Sequence, residues 1–336
     1  MSSRLLNPYP GGGISELIRP LPAPVSRPAA LNLIAVGNFT NNTLSVIDEA
    51  SWTVTHTPGA GVGPFSVEVS PDLSYLAVVD AGAGPANQVQ IISTSTWTTI
   101  HTINTVGAGL DSCAISPDGT FIAVSNGNGV VNIISTSTWT VTQTITVGTS
   151  PRGLRVAPDS SYVAVPNFNS ATVSIISTST WTVTHTVATT VNFPQAVDVS
   201  PDGSFIAVAM DNTATNLVII STSTWTVTHT LVITAGSTRS RGVRIAPDGS
   251  YVAVTSNTTS QVATFSTSTW TVTHTVTVGA SPQSVAIAAD GKLLAVANNT
   301  AGPPGTVSVI DTSTWTVTHT VTVGTGANAP HGITFL

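Results

Sequence analysis

Apolar residues in this chain come in short runs, and each run stops at a cluster of Ser, Thr, Asn, Asp, Gly or Pro. The stretch from Gly153 shows the pattern. Residues 153–157 (Gly-Leu-Arg-Val-Ala) read as a short strand, and Pro158-Asp159-Ser160-Ser161 as a turn, with Pro fixing φ and Asp bonding nearby backbone. Residues 162–165 form a second, apolar strand, 167–171 a polar loop and 172–177 a third strand. A Ser/Thr turn then leads to a fourth strand over 181–187. Strands this short, with turns this close, predict an antiparallel meander.

The meander recurs. Trp52, Trp97, Trp139, Trp181, Trp225, Trp270 and Trp315 are spaced by 45, 42, 42, 44, 45 and 45 residues. Each sits in a near copy of Ser-Thr-Ser-Thr-Trp-Thr-Val-Thr-His-Thr. Four-stranded meanders repeated at about 40–50 residues are the pattern of propeller blades. The expected fold is therefore all-β, a seven-bladed β-propeller with four antiparallel strands per blade. Second, third and fourth strands occur seven times, beginning with 31–38, 43–48 and 52–57. The seventh first strand is 331–336, at the very end of the chain. It should complete the first blade and remove two exposed sheet edges. The expected division is an N-terminal arm over 1–30 and a propeller over 31–336.

Composition narrows the function. Charged residues are only 7% of the 336, against about 25% in an average soluble protein. No run approaches the ~20 apolar residues of a spanning helix, so no membrane span is expected. The net charge is −6 and Lys292 is the single lysine, which argues against a nucleic-acid partner. Cys113 is the single cysteine, so no intrachain disulfide forms; an inert buried thiol is expected. The N-terminus lacks the apolar core of a Sec-type signal.

The last repeat reads Leu-Leu-Ala-Val-Ala-Asn-Asn-Thr, then Thr-Val-Ser-Val-Ile-Asp-Thr-Ser-Thr-Trp-Thr-Val, then Ala-Pro-His-Gly-Ile. It resembles the YVTN-type β-propeller repeat of surface-layer-like proteins. The resemblance covers 31–336; the literal Tyr-Val-Thr-Asn is absent, with Tyr162-Val163-Ala164-Val165 nearest. It implies a fold and carries no shared catalytic residues.

Residues 1–30 hold six prolines and Gly11-Gly12-Gly13, which favour an extended arm. Leu5, Leu6, Ile14, Leu17 and Ile18 make it too apolar for a solvating tail. They either pack on the propeller or dock into a protein partner or neighbouring subunit.

Six histidines, His56, His101, His185, His229, His274 and His319, each lie four residues after a Trp, with Gln143 in the seventh place. They belong to different blades and cannot converge on one ion, so no metal site is expected. The axial positions are more informative. Alternating strand direction places the fourth-to-first and second-to-third loops on one face. One ring there reads Phe65, Asp111, Arg152, Gln195, Arg241, Gln283, His331; a second, three residues on, reads Glu68, Ala114, Arg155, Asp198, Arg244, Ala286, Thr334. Glu68, Asp111, Arg152, Arg155, Asp198, Arg241, Arg244 and His331 are the candidate ligand-binding set, for an anionic ligand or a glycan. The alternative is that these charges only pair with each other. Asn-rich loops on the same face, such as 38–42 and 167–169, suit turns, with sugar binding as the second reading.

No nucleophile stands beside a base, and no cofactor is expected. The expected function is a non-enzymatic structural or binding module of a virion or cell-surface array. The bare, uncharged outer strands also suggest such packing. The alternative is an enzyme similar to seven-bladed lactonases, acting at the channel mouth.

Overall fold

The computed structural model describes residues 29–82, 87–212, 214, 216–233, 239–299, 304–325 and 329–336. The expected arm anchors Leu5, Leu6, Ile14, Leu17 and Ile18 lie outside the described residues. Twenty-eight strands form seven antiparallel four-stranded sheets, with no helix among the described residues. Blade one consists of Pro330–Phe335, Leu33–Asn38, Thr43–Asp48 and Thr53–His56, in that order from the axis outward. The C-terminal strand pairs with the first one through Ile34 and Phe335, Ala35 and Thr334, and Val36 and Ile333. Closure thus occurs where the repeat count places it.

Each blade buries both faces of its middle strands, so Tyr75–Asp80 and Phe121–Asn126 are buried along their whole length. The core is seven apolar clusters, each shared by two neighbouring blades. Ala77 and Val79 of blade two pack with Cys113, Ile122 and Val124 of blade three. Ile34 and Val36 of blade one pack with Val307 and Val309 of blade seven. Near the axis the inner strands approach closely. A Cβ on Gly332 would stand 2.5 Å from the Val67 nitrogen, and one on Gly242 3.0 Å from the Ser284 Cα. Side chains would hold these strands apart.

The tryptophans do not begin the outer strands, as the sequence pattern suggests. They end the turn before them, with φ between 52° and 57°. A left-handed conformation costs an L-residue about 1 kcal/mol or more. Ring contacts between blades offset this. Trp315 stacks on His274 of the preceding blade at 4.5 Å and 14°, and meets Tyr251 edge-on at 5.2 Å. Trp52, Trp97, Trp139, Trp225 and Trp270 pair in the same way with His319, His56, His101, His185 and His229. The six histidines therefore clasp blade to blade. Trp181 keeps its edge contact with Phe121, and Gln143 holds the repeat position at which the others find histidine. Gln143→His is expected to raise stability by about 0.5–1 kcal/mol, and His274→Gln to lower it by a similar amount. Thermal midpoints of the two variants check this; unchanged midpoints contradict the clasp.

The other repeat residues have structural work as well. In six repeats the Thr that opens the turn donates its hydroxyl to the turn between the first two strands, as Thr136 does to the Gly119 carbonyl at 2.7 Å. Asn38, Asn126, Asn167 and Asn298 are wholly buried at the ends of second strands. Asn167 Nδ2 donates to Thr172 Oγ1 at 3.0 Å and Ser174 Oγ at 2.9 Å, and Asn38 and Asn298 repeat the arrangement. These amides hold loops.

In blade two the corresponding residue is Asp80. Its Oδ2 accepts from Gln90 Nε2 at 3.2 Å, and its Oδ1 is buried without a partner. Burial pushes this carboxyl up to about 6. The folded state therefore holds the proton more tightly than the unfolded chain. The stabilisation is present below about pH 3.8 and is lost as pH rises through about 6. Asp80→Asn is expected to stabilise the fold at about pH 8 by ~1 kcal/mol after allowance for solvent screening, seen as a higher thermal midpoint, and to change little near pH 4. Equal midpoints at the higher pH contradict this.

Candidate functional site

The seven inner strands bring the axial positions to one funnel. A cavity of about 100 Å³ is lined by Glu68, Asp111, Arg155, Arg241, Arg244 and His331, with Phe65, Gln195, Gln283 and the small residues of the waist. Six of the eight candidate residues therefore share one cavity. The other two act from behind it. Arg152 Nη1 donates to Asp111 Oδ1 at 2.9 Å, and Asp198 Oδ1 lies 3.6 Å from Arg155 Nε.

The floor is a chain of charges across the channel. Arg155 of blade four donates to Glu68 of blade two at 2.7 Å, across the small Ala114 of blade three. Asp198 of blade five takes the other side of Arg155, and its Oδ2 accepts the Ile245 amide of blade six at 2.8 Å. Burial pushes the Asp198 carboxyl up to about 6, against the pull of Arg155. Burial also works against the charge on Arg155, but Glu68 and Asp198 together hold its guanidinium above the usual value.

The mouth has two contrasting sides. On one, His331 stacks on Phe65 at 4.3 Å and Phe39 braces both rings edge-on at 5.5 and 6.1 Å. Burial, helped by Arg241, pulls His331 down to about 4, so the imidazole is neutral at physiological pH. On the other side Arg152 pairs with Asp111 and lies over Phe168 at 4.9 Å. Burial raises Asp111, and Arg152 opposes the shift. Arg241 reaches Asp211 at 3.6 Å, and its Nε is buried without a hydrogen bond. Arg244 donates to the Val243 carbonyl at 2.9 Å and forms no ion pair among the described residues.

Much of the charge is thus spent internally, as the alternative reading expects, and Arg244 is the exception. Sequence reasoning passed over Asp211 as a turn residue. Its link to Arg241 crosses from blade five to blade six, and a repeat alignment carries no sign of such a pairing. Cys113 is buried, burial pushes its thiol up to about 12, and its Sγ lies 3.6 Å from the Ala77 carbonyl. Its burial is as expected.

Comparison with known proteins gives fold and little more. The family described as Cytochrome D1 heme domain matches residues 71–200, under half of the chain. A structure titled Kuenenia stuttgartiensis Hydrazine Synthase superposes with a TM-score of 0.74 at 20% identity, covering 88% of this chain and 99% of that one. A functionally unknown protein from Desulfotomaculum acetoxidans DSM 771 superposes at 0.75 with 16% identity, covering 90% and 98%. At these identities the likeness shows the propeller fold. No curated protein matches the chain.

The residues present do not fit a heme in the channel. The cavity of about 100 Å³ is far below the ~300–1,000 Å³ of small-molecule sites. His331 is the single imidazole in its lining; its face lies on Phe65 and its Nε2 is 3.5 Å from the Asn299 amide. Among the described residues no three His, Cys, Asp or Glu side chains are placed to hold a metal ion.

Proposed function

We propose that this propeller is a non-enzymatic binding module that takes an anionic group at its channel mouth. The observation that carries the reading is Arg244, a guanidinium that lines the cavity with no carboxylate partner among the described residues. A partly buried charge without a counter-charge is costly, and a ligand carboxylate or phosphate supplies one through charge-assisted hydrogen bonds. Arg241, with a free buried Nε, stands in the same cavity.

Catalysis is the weaker reading. His331 is a poor base at about 4 and lies against Phe65, and Glu68 is held by Arg155. The serines of the waist have no general base beside them; Ser66 Oγ lies 3.4 Å from Ser112 Oγ. A lactonase-type activity would show as turnover of lactones that Arg244→Ala abolishes.

Calorimetric titration with inorganic phosphate and with acetate at low ionic strength tests the binding reading. At least one anion should bind, and Arg244→Gln should weaken it about 10- to 100-fold, the loss of one charge-assisted bond. Equal binding by the variant sinks the assignment. Attachment to a virion or surface array through residues 1–30 belongs to this proposal on sequence grounds alone, and the similar structures lend it no support. Deleting that segment should abolish incorporation while leaving the thermal midpoint unchanged.

A further inference from the structure

We infer that the channel mouth selects a compact oxyanion of about four or five heavy atoms, a short carboxylate or free phosphate, and excludes sugar acids and tricarboxylates. The inference rests on the anion-binding reading and adds its size limit. An apolar cavity of about 150 Å³ accommodates benzene, with six heavy atoms. The axial cavity is about 100 Å³ and scales to about four, with a fifth atom placed toward the open mouth of the funnel.

The walls resist widening. Gly153 hydrogen-bonds across to blade five, with its nitrogen 3.1 Å from the Gln195 carbonyl and its carbonyl 3.0 Å from the Val197 nitrogen. Gly332 and Gly242 seat blades one and six equally close against their neighbours. Below, the Glu68–Arg155–Asp198 chain closes the floor. Above, the Phe65–His331 stack braced by Phe39 fixes one side of the entrance.

The lining charge suits one anion. Three guanidiniums, Arg155, Arg241 and Arg244, face two carboxylates, Glu68 and Asp111. Each carboxylate is already bound by an arginine, Glu68 by Arg155 and Asp111 by Arg152. That leaves Arg244 without a carboxylate among the described residues, while Arg241, paired with Asp211 through Nη2, keeps a buried Nε with no hydrogen bond to offer as a second donor. A neutral His331 adds no second cation to attract a polyanion.

The test is a calorimetric series on the full chain at low ionic strength with acetate, inorganic phosphate, citrate and glucuronate. Acetate or phosphate should bind at least tenfold more tightly than citrate and glucuronate. Acetate alone assigns a short carboxylate, and phosphate alone assigns phosphate. Arg244→Gln should weaken the binding about 10- to 100-fold, to the point of loss in the calorimeter, and Arg244→Lys should retain part of it, with unchanged thermal midpoints showing that both variants fold. Citrate or glucuronate binding as tightly as the small anions, and still lost in Arg244→Gln, overturns the size limit and leaves the anion site standing. Binding that survives Arg244→Gln, or no binding of any anion, overturns the site itself.

Discussion

Removal of residues 330–336 is expected to unfold the protein. This segment is the inner strand of blade one. Ile333, Phe335 and Leu336 are buried, at 1%, 7% and 1% exposure. Burial of each such side chain contributes about 1.5–3 kcal/mol, so the three together contribute ~5–9 kcal/mol. That is comparable with the ~5–15 kcal/mol stability of a whole domain. The strand also brackets the chain ends: the Leu31 nitrogen donates to the Leu336 carbonyl at 3.0 Å, and the Leu336 nitrogen to the Leu33 carbonyl at 2.8 Å. Without it, Ile34 and Val36 lose the cover of Ile333 and Phe335, and Val67 of blade two loses Gly332 and Leu336 as neighbours. Circular dichroism and gel filtration should show a chain without a cooperative melt. A truncated chain that melts at the full-length midpoint contradicts this closure.

The second large effect is expected at Arg155. Arg155→Met leaves Glu68 and Asp198, at 22% and 16% side-chain exposure, facing each other across the channel without their common cation. Breaking a buried pair by removing one partner costs ~3 kcal/mol or more. Replacing the whole group, Glu68→Gln with Arg155→Met and Asp198→Asn, removes the stranded charges and should recover most of the loss. The deficit of the single variant should also depend on pH. In the wild type Asp198 titrates at about 6, above its ordinary 3.8, so its own contribution is full below about pH 3.8 and is lost as pH rises through about 6. In Arg155→Met the stranded Asp198 is relieved by protonation, so the gap to wild type should narrow toward pH 4. Urea titrations at about pH 4 and pH 8 measure it. A gap that is constant with pH would mean that Arg155 acts through packing rather than charge.

The architecture was legible because it depends on periodicity. Apolar runs, turn residues and seven equally placed tryptophans give strand number, blade number and the closing strand without any tertiary detail. Three features were not legible, each for a physical reason. The left-handed φ of the tryptophans is offset by contacts with the preceding blade, and those contacts lie outside any local pattern. The first strand of blade four was expected over 153–157 and forms ladder pairs only at Arg155–Val156. There the Gly153 backbone bonds to blade five instead of its own sheet. The charges of the mouth could be ranked by repeat position, since equivalent positions stand at equal height. Their partners could not be read: Arg152 and Asp111 are 41 residues apart, and Arg155 and Glu68 87. That distinction matters for function. It separates the arginines occupied by carboxylates from Arg244, which is not.

Anomalous diffraction from crystals soaked in selenate, a five-atom oxyanion, tests this most directly. The account predicts a selenium peak in the axial funnel between the Arg241 and Arg244 guanidiniums, absent from Arg244→Gln crystals. Selenium on exposed Arg239, with nothing in the funnel of the same crystals, would contradict it.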